Sequence, residues 1–388
     1  MVSATSIVVV TEKAYASLYP SGADLRFVED VGDVVAVLKR VLEIEADRGV
    51  LAVVSPSERS MPAGGYVRSY LSLPGVPNDV ANLLTNKVAM KSRLRAAGLP
   101  VADFVPAVGK RQLRESTDEL GFPVIVKPAL GTGSMNTHVL RDPIDLEKLL
   151  DSPEAAALVG APRLLAVESF LPVSAELTCD GIVVDGDVRF CITSRYNAPL
   201  IGGIGGMLGA SVIDPDDRVS DDLRRLHRDV VMALGVTDAV THLEVLQVGE
   251  KLYVGEIACR PGGAGVVDGA RLATGVDLWD AFMRLSLGLT IEVKTDGLSP
   301  TPVMWTTLPT APGRIVSVST AADFAHIDGV RHVDMHVVDG DVVSSRMHSS
   351  TTTGIVYLDV PMTDRATIAD RLTQVRVAYR LTIDGQES

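Results

Sequence analysis

Residues 241–258 alternate between apolar and polar positions on both sides of a short polar turn at Gly249–Glu250. This period-two pattern, interrupted by a turn, predicts a β-hairpin. Glu244 lies in the first strand of the hairpin and Glu256 in the second. If the turn places them opposite each other, their Cβ atoms lie about 5 Å apart.

Two carboxylates at that distance repel each other unless a cation lies between them. Mg²⁺ fits this role, because it usually binds one or two carboxylates together with substrate phosphates. Arg260 follows Glu256 by four residues, and a guanidinium there can bind a phosphate or carboxylate bidentately. The alternative is that Glu244 and Glu256 are solvated and that Arg260 is their surface partner. Apolar flanking residues raise the cost of an unpaired charge and so weaken that alternative, but both interpretations stay open at this point.

The first hundred residues carry a β-α-β pattern. Residues 6–10 predict a buried strand, residues 31–47 a helix, and residues 51–59 a second strand that runs into a loop. This order predicts a parallel sheet with a crevice at its carboxyl ends, where loops often bind substrate. The polar residues at that edge are Ser55, Ser57, Glu58 and Arg59. Ordinary loop polarity is the alternative explanation for them.

The composition is that of a globular protein with ample core. The chain has 388 residues, 46% of them hydrophobic and 22% charged, and a net charge of −13 that disfavours nucleic acid and anionic membrane as main partners. Cys179, Cys191 and Cys259 are widely spaced in apolar segments, which predicts buried thiols rather than disulfides or a zinc site. The N-terminus has no signal-peptide pattern and no long apolar run occurs, so a cytoplasmic location is the default expectation.

Individual lysines are informative in such an acidic chain, because a bound polyphosphate would need a local basic patch. Residues 81–98 predict a helix on which Lys87 and Lys91 lie one turn apart. By themselves, these two lysines predict a solvated helix face.

A second lysine position lies at the end of the short strand predicted at 124–126. Lys127 is followed by a loop with Gly131 and Gly133, whose backbone N–H groups can approach phosphate oxygens closely. The lysine precedes the glycines, so the segment is not a P-loop. Its glycines favour a mobile lid, and a plain surface hairpin is the alternative.

Residues 164–171 predict an apolar strand that is interrupted by Glu168 and ended by Pro172. The free backbone groups of a buried strand edge can bind a flat heterocycle. Glu176 lies where a strand resumes.

The order of these features resembles the ATP-grasp superfamily over essentially the whole chain. The residues that carry the resemblance are Lys87, Lys127 with its glycine-rich loop, Val167–Leu171, Glu176, Glu244, Glu256 and Arg260. Within that superfamily, the chain is most similar to carboxylate–amine ligases of the L-amino-acid ligase type, and residues 260–288 resemble the helix that follows their metal site.

The resemblance implies an α/β (α+β) fold built from four parts. These are an N-terminal parallel α/β domain (1–100), a small mobile α+β lid domain (101–175), a large antiparallel-sheet core domain with the metal site (176–298), and an appended β-rich subdomain (299–388).

The resemblance also implies the binding of ATP. Lys87 and Lys127 would contact the phosphates, and Gly131, Gly133 and Ser134 would belong to the flexible phosphate loop. The adenine would lie beside Glu168, Ser169, Phe170 and Leu171, with the Ser169 carbonyl and the Leu171 N–H on its edge. Glu176 would accept hydrogen bonds from the ribose.

Glu244 and Glu256 would bind Mg²⁺, with Mn²⁺ as a possible substitute, and Arg260 would stabilise an acyl phosphate and the adduct formed with an amine. Two departures from the family affect these expectations. Ala258 stands where relatives often have Asn, which leaves the number of bound Mg²⁺ ions open. The glycine-rich loop at 202–209 lacks the His that relatives often carry there, so the substrates are expected to differ from those of common dipeptide-forming enzymes.

The implied reaction joins a carboxylate and an amine at the expense of ATP, through an acyl phosphate. The substrates would be small molecules, with a carrier-bound acceptor not excluded and a homodimer possible. Two alternatives stay open. One is another ATP-grasp chemistry, such as bicarbonate activation in a purine or carboxylase pathway, and the other is a nucleotide-binding protein without catalysis.

Overall fold

The computed structural model describes residues 6–131, 133, 135–201, 205–293, 302–345, 347, 351–360 and 365–384. Within these ranges, no helix combines the length and the apolar character needed to cross a lipid bilayer.

The N-terminal part contains a parallel pair of strands and four helices. Its elements are β1 (Val8–Glu12), β2 (Asp24–Val28), α1 (Val34–Arg48), α2 (Met61–Leu71), α3 (Asn78–Leu83) and α4 (Lys87–Ala96). The parallel partner of β1 is β2, which precedes α1, whereas the predicted strand at 51–59 does not form. The Arg68 guanidinium donates to the Val53 carbonyl at 2.9 Å, so a side chain takes an acceptor that a neighbouring strand would otherwise use.

The helix predicted over 81–98 is broken. α3 ends at Leu83, and α4 begins only at Lys87, where the Asn86 side chain accepts hydrogen bonds from the N–H groups of Val88 and Ala89. An Asn that caps a helix in this way satisfies N–H groups that have no partner inside the helix. The break puts Lys87 at the start of α4, where its own N–H donates to the Ala129 carbonyl at 2.9 Å.

The middle part is a four-stranded antiparallel sheet with the order β3-β6-β4-β5, and helices pack on it. Its elements are β3 (Phe104–Val108), α5 (Gly109–Leu120), β4 (Val124–Pro128), β5 (His138–Leu140), α6 (Pro143–Asp151), α7 (Glu154–Val159) and β6 (Leu164–Ser169). A separate apolar core that includes Leu113, Val126 and Leu165 holds it together.

The C-terminal part is dominated by an eight-stranded sheet. Its elements up to residue 286 are β7 (Ala175–Val184), β8 (Asp187–Tyr196), β9 (Gly209–Val212), α8 (Arg218–Leu234), β10 (Ala239–Val248), β11 (Lys251–Ala258), α9 (Val266–Thr274) and α10 (Leu278–Ser286). The later elements are β12 (Val303–Thr307), β13 (Gly313–Val318), β14 (Val330–Met335), β15 (Val342–Val343), β16 (Gly354–Asp359), α11 (Arg365–Ala378) and β17 (Leu381–Ile383).

The strands after residue 300 do not all form a separate unit. The order of the large sheet is β11-β10-β7-β8-β9-β12-β16-β14, so three of these strands extend the core sheet. β13, β15 and β17 form a small sheet of their own.

The predicted hairpin forms as β10 and β11, and a bulge sets its register. Near the turn, Val248 pairs with Lys251 and Val245 with Val254, but Glu244 then pairs with Glu256 because the chain inserts one extra residue at Gly255. A shift of one residue moves every later side chain to the other face of a strand. The bulge therefore puts the two carboxylates opposite each other, which the turn alone would not do.

Candidate active site

A buried ion-pair network joins the three parts of the molecule at Glu168, at the end of β6. The Glu168 carboxylate, only 4% exposed, contacts the Lys127 ammonium at 3.0 Å and the Lys91 ammonium at 3.4 Å. Lys91 is fully buried and also donates to the Val254 carbonyl of β11 at 3.3 Å. One carboxylate thus connects the helix α4, the strand β4 of the middle part and, through Lys91, the hairpin of β10 and β11.

The network keeps Glu168 ionised. Burial alone would raise the pKa of Glu168, but Lys127 and Lys91 outweigh it and hold the pKa below its ordinary value. Burial lowers the pKa of Lys91 despite Glu168, whereas the carboxylates around Lys127 outweigh burial and raise its pKa. The prediction of a solvated Lys87–Lys91 face is therefore wrong, because both lysines are buried against residues of the middle part and of β11.

Lys87 bridges the glycine-rich loop and the hairpin. Its ammonium lies 2.7 Å from a Glu256 carboxylate oxygen and donates to the Gly131 carbonyl at 2.7 Å. Burial raises the pKa of the Glu256 carboxyl, and Lys87 offsets this only in part. Gly133, in the same loop, has a φ of 60°, a left-handed conformation that favours glycine. Ser134 lies outside the described residues, as do the loop positions 202–204.

Glu244 has a partner that the sequence reading missed. His242 lies 3.4 Å from a Glu244 oxygen through Nε2, and its Nδ1 lies 2.6 Å from Asp180 on the neighbouring strand β7. Burial alone would lower the pKa of His242, but Asp180 and Glu244 raise it to about 10, so the imidazole is protonated at neutral pH. Burial alone would likewise raise the pKa of Glu244, yet His242, Lys87 and Lys127 outweigh it and lower the pKa.

Arg260 pairs with Glu58, which lies 202 residues earlier in the chain. Both side chains are mostly buried, at 18% and 15% exposure, so the contact is not a surface salt bridge. Glu58 is one of the polar residues expected at the crevice of the first part. The structure thus brings the turn that carries Glu58 to the guanidinium that follows the hairpin, and Arg260 is paired with Glu58 rather than with the two glutamates.

A cavity of about 990 Å³ opens beside this cluster. Five predicted nucleotide-site residues line it, namely Glu168, Ser169, Phe170, Leu171 and Glu176. Its size is at the upper end of the range for small-molecule sites. The lining does not include Lys87, Lys127, Glu244, Glu256 or Arg260. Lys127 adjoins it through its contact with Glu168.

Glu176 is a half-buried titratable group of the cavity wall. Burial raises the pKa of the Glu176 carboxyl to about 7, and the nearby Glu244 acts in the same direction. The Leu200 N–H donates to its Oε2 at 3.3 Å. The side chain therefore changes charge near neutral pH at the rim of the cavity.

The burial of the Lys91–Glu168 pair leads to a stability prediction. Removing one member of a buried ion pair leaves the other charge uncompensated and costs about 3–5 kcal/mol. We expect Lys91→Met to lower the free energy of unfolding in urea by about 3 kcal/mol, at the lower end of that range because Lys127 still contacts Glu168 at 3.0 Å.

Arg114→Met is the matched control, because Arg114 of α5 forms an exposed ion pair with Glu147 of α6 at 2.7 Å. Loss of an exposed pair costs about 0–1 kcal/mol. A Lys91→Met effect as small as that of Arg114→Met would show that the Glu168 network does not hold the parts together.

A family model and several known proteins resemble this chain. Residues 92–272 match the family model of the ATP-grasp domain. Over 354 residues, the chain is 30% identical to the L-arginine-specific L-amino acid ligase of Bacillus subtilis, covering 91% of this chain and 86% of that protein.

Solved structures with low sequence identity share the fold. The L-amino acid ligase from Bacillus licheniformis superposes with a TM-score of 0.76 at 16% identity, over 97% of this chain and 92% of that one. The N5-carboxyaminoimidazole synthetase from Staphylococcus aureus, complexed with ADP, gives a TM-score of 0.63 at 14% identity, over 96% of this chain and 91% of that one. The predicted fold class is confirmed, and the chain belongs to the ATP-grasp superfamily, as an ATP-dependent carboxylate–amine ligase of the L-amino-acid ligase type.

Proposed function

We propose that this enzyme activates the carboxylate of an amino acid as an acyl phosphate and transfers the acyl group to the amine of a second small molecule. The observation that carries the proposal is that Lys87 contacts Glu256, the direct partner of Glu244 across the hairpin, close to Glu58 and its partner Arg260. An opposed pair of carboxylates, a lysine and a guanidinium provide the charges that phosphoryl transfer requires.

The residues present fit a magnesium ion. Glu244 and Glu256 pair directly across two strands, and both offer oxygen ligands of the kind that Mg²⁺ prefers. In the absence of ligand, Lys87 neutralises Glu256, so binding a metal there would free the lysine for a phosphate. When bound, the metal would neutralise charge on the phosphates. Protonated His242 would fix the orientation of Glu244, because it also contacts the buried Asp180.

The nucleotide would occupy the cavity and extend toward the lysines. The stretch from Ser169 to Leu171 would hold the adenine, and Glu176 would accept hydrogen bonds from the ribose. Lys87 and Lys127 would contact phosphate oxygens. The carbonyl that Lys87 now contacts belongs to Gly131 of the lid loop, so closure of this loop would shield an acyl phosphate from water.

The proposed reaction needs no nucleophile from the protein. A carboxylate oxygen of the substrate attacks the γ-phosphorus of ATP, and the bond from that phosphorus to ADP breaks. The amine nitrogen then attacks the acyl carbon, the nitrogen of the tetrahedral adduct loses a proton to solvent, and phosphate leaves with the bonding electrons of the carbon–oxygen bond to give the amide. Arg260, held in place by Glu58, would stabilise the negative charge that develops on the acyl phosphate and on the tetrahedral adduct.

The amino-acid substrate class rests on the relative from Bacillus subtilis, which is named as specific for L-arginine. The test is release of phosphate from ATP with Mg²⁺, measured across a matrix of amino acids, singly and in pairs, with mass spectrometry of the products. We expect release that requires a pair, with a product mass equal to the sum of the two minus water. Release with bicarbonate alone, or from no pair despite ATP binding, would contradict the proposal.

Arg260 offers a test of charge stabilisation after substrate binding. A lysine there keeps the charge but loses the two-pronged geometry, and loss of one such stabilising group costs about 10²–10³ in kcat. We expect Arg260→Lys to lower kcat by about 10² with little change in the KM for ATP. Arg271→Lys is the control, since Arg271 forms an ion pair with Asp268 and is half-exposed. Equal effects of the two variants would rule out the role of Arg260.

Glu176 offers a pH test with opposite effects on stability and binding. Its pKa is about 7 in the folded protein against 4.5 ordinarily, so the folded state binds more protons than the unfolded state between those values. The contribution of Glu176 to stability therefore falls as the pH rises through that window. We expect Glu176→Gln to stabilise the unliganded enzyme at pH 8 by about 2 kcal/mol and to leave it nearly unchanged at pH 4.

The same variant should raise the KM for ATP at pH 8, because the amide replaces a charged acceptor for the ribose. In the native enzyme, the KM for ATP should rise as the pH falls below about 7 and Glu176 takes up a proton. A Glu176→Gln enzyme that is less stable at pH 8, or that binds ATP as well as the native enzyme, would contradict this assignment.

A further inference from the structure

Two cysteines and a histidine converge on the side of the large sheet that packs against α8. Cys179 of β7 and Cys191 of β8 lie on neighbouring strands, where Gly181 is the direct partner of Cys191. His227 reaches them from α8, and the sulfur atoms of the two cysteines and a ring nitrogen of His227 all lie within 4.8 Å of one another. The sequence predicts three separate buried thiols, whereas the structure brings two of them together beside an imidazole.

The imidazole is oriented for ligation by a neighbouring hydroxyl. His227 is fully buried, and its Nε2 lies 2.8 Å from the Thr241 hydroxyl of β10. Its Nδ1 has no hydrogen-bond partner within the described part of the chain. A metal-ligating histidine commonly donates its second ring N–H to such an acceptor, which fixes the tautomer and leaves the other nitrogen free to bind the metal. An unpartnered buried nitrogen is otherwise costly.

A glycine in β7, Gly181, leaves room for the His227 ring. Thr241, Gly181 and Cys191 form a row across three adjacent strands, and the His227 ring lies above the central glycine. A Cβ at position 181 would come within 2.4 Å of Cε1 of His227 and 3.3 Å of its Nδ1. Glycine therefore lets the imidazole lie between the Thr241 hydroxyl on one side and the thiols on the other.

The third thiol, Cys259, is buried and does not belong to the cluster of Cys179, Cys191 and His227. Cys191 keeps partial exposure, which gives an ion a route from solvent.

We propose that Cys179, Cys191 and His227 form a binding site for one thiophilic metal ion of the Zn²⁺ type. Thiolate and imidazole ligands favour zinc, whereas Mg²⁺ prefers oxygen. The site is therefore chemically distinct from the carboxylate pair of the hairpin. Binding releases the remaining thiol protons to solvent and leaves the oxidation state of sulfur unchanged.

The proposed metal site lies on β7, the strand that also carries Asp180, the partner of His242. β7 carries Cys179 on one face and Thr178 and Asp180 on the other, where Asp180 contacts His242. A metal held between β7, β8 and α8 would fasten this strand to the helix behind it. We expect Zn²⁺ to raise the melting temperature of the metal-free enzyme.

The experiment is a titration of the reduced, metal-free, full-length enzyme with Zn²⁺ against a chromophoric chelator, in excess Mg²⁺ to occupy oxygen sites. One equivalent should bind, and Co²⁺ in its place should give a thiolate-to-metal charge-transfer absorption. Cys191→Ser and His227→Gln should abolish the absorption and weaken Zn²⁺ binding by more than about 100-fold, beyond the 10–100-fold typical of losing an outer hydrogen-bond partner. Cys259→Ser should change neither measurement.

Two variants keep every donor atom and so separate ligation from a folding defect. Thr241→Val removes the hydroxyl that orients His227, and it should weaken Zn²⁺ binding by about 10–100-fold. Gly181→Ala should weaken it too, because the methyl group displaces the ring. Failure of the native enzyme to bind one Zn²⁺, or binding that survives both Cys191→Ser and His227→Gln, would overturn the proposal.

Discussion

Glu168 is a carboxylate buried between the three parts of this ligase, and it stays charged only because two lysines contact it. Lys127 comes from the lid sheet, and Lys91 comes from the helix α4 that begins under the lid loop. Lys91 in turn donates to the backbone of β11, the strand that carries Glu256. The cost of leaving any of these charges unpaired in the interior therefore holds the middle part, the N-terminal part and the hairpin of β10 and β11 together.

Near Glu168, each of several groups with a proposed role in the reaction is paired with an opposite charge that a ligand can replace. Lys87 contacts Glu256, Glu58 contacts Arg260, and protonated His242 contacts Glu244. The site needs no large reorganisation of charge before ligands bind, because opposite charges already offset one another. Binding of a metal and a polyphosphate would exchange partners within the cluster instead of creating new buried charge. Preorganisation of this kind is the main source of electrostatic catalysis.

Sequence patterns predict the local parts of this site well and the distant contacts poorly. The hairpin and its facing glutamates follow from alternation and a polar turn, although the register also needs the bulge at Gly255, which alternation does not reveal. The lysine–glycine segment and the strand that ends at Ser169 are also local patterns. The break before Lys87 was missed, yet the Asn at position 86 is a recognisable N-cap signal.

Other features depend on contacts that no local pattern encodes. Lys91 looks like a solvated helical residue until the lid covers it, and the contact between Glu58 and Arg260 spans 202 positions. His242 and Asp180 meet only because β10 pairs with β7, where they are direct partners. The thiols beside His227 converge for the same reason, through the pairing of β7 with β8 and the packing of α8. A lone histidine or cysteine in an apolar strand carries no signal of such a partner.

The central claim is that the charges around Glu244 and Glu256 form a preorganised site for a metal and the phosphates of ATP. A crystal structure with Mg²⁺ and a non-hydrolysable ATP analogue tests it most directly. The account predicts the adenine beside Ser169–Leu171, a metal bound by both glutamates, Lys87 moved from Glu256 to a phosphate, and Glu168 still paired with Lys91 and Lys127. A nucleotide bound elsewhere, or one bound with Lys87 still on Glu256 and no metal between the glutamates, would contradict it.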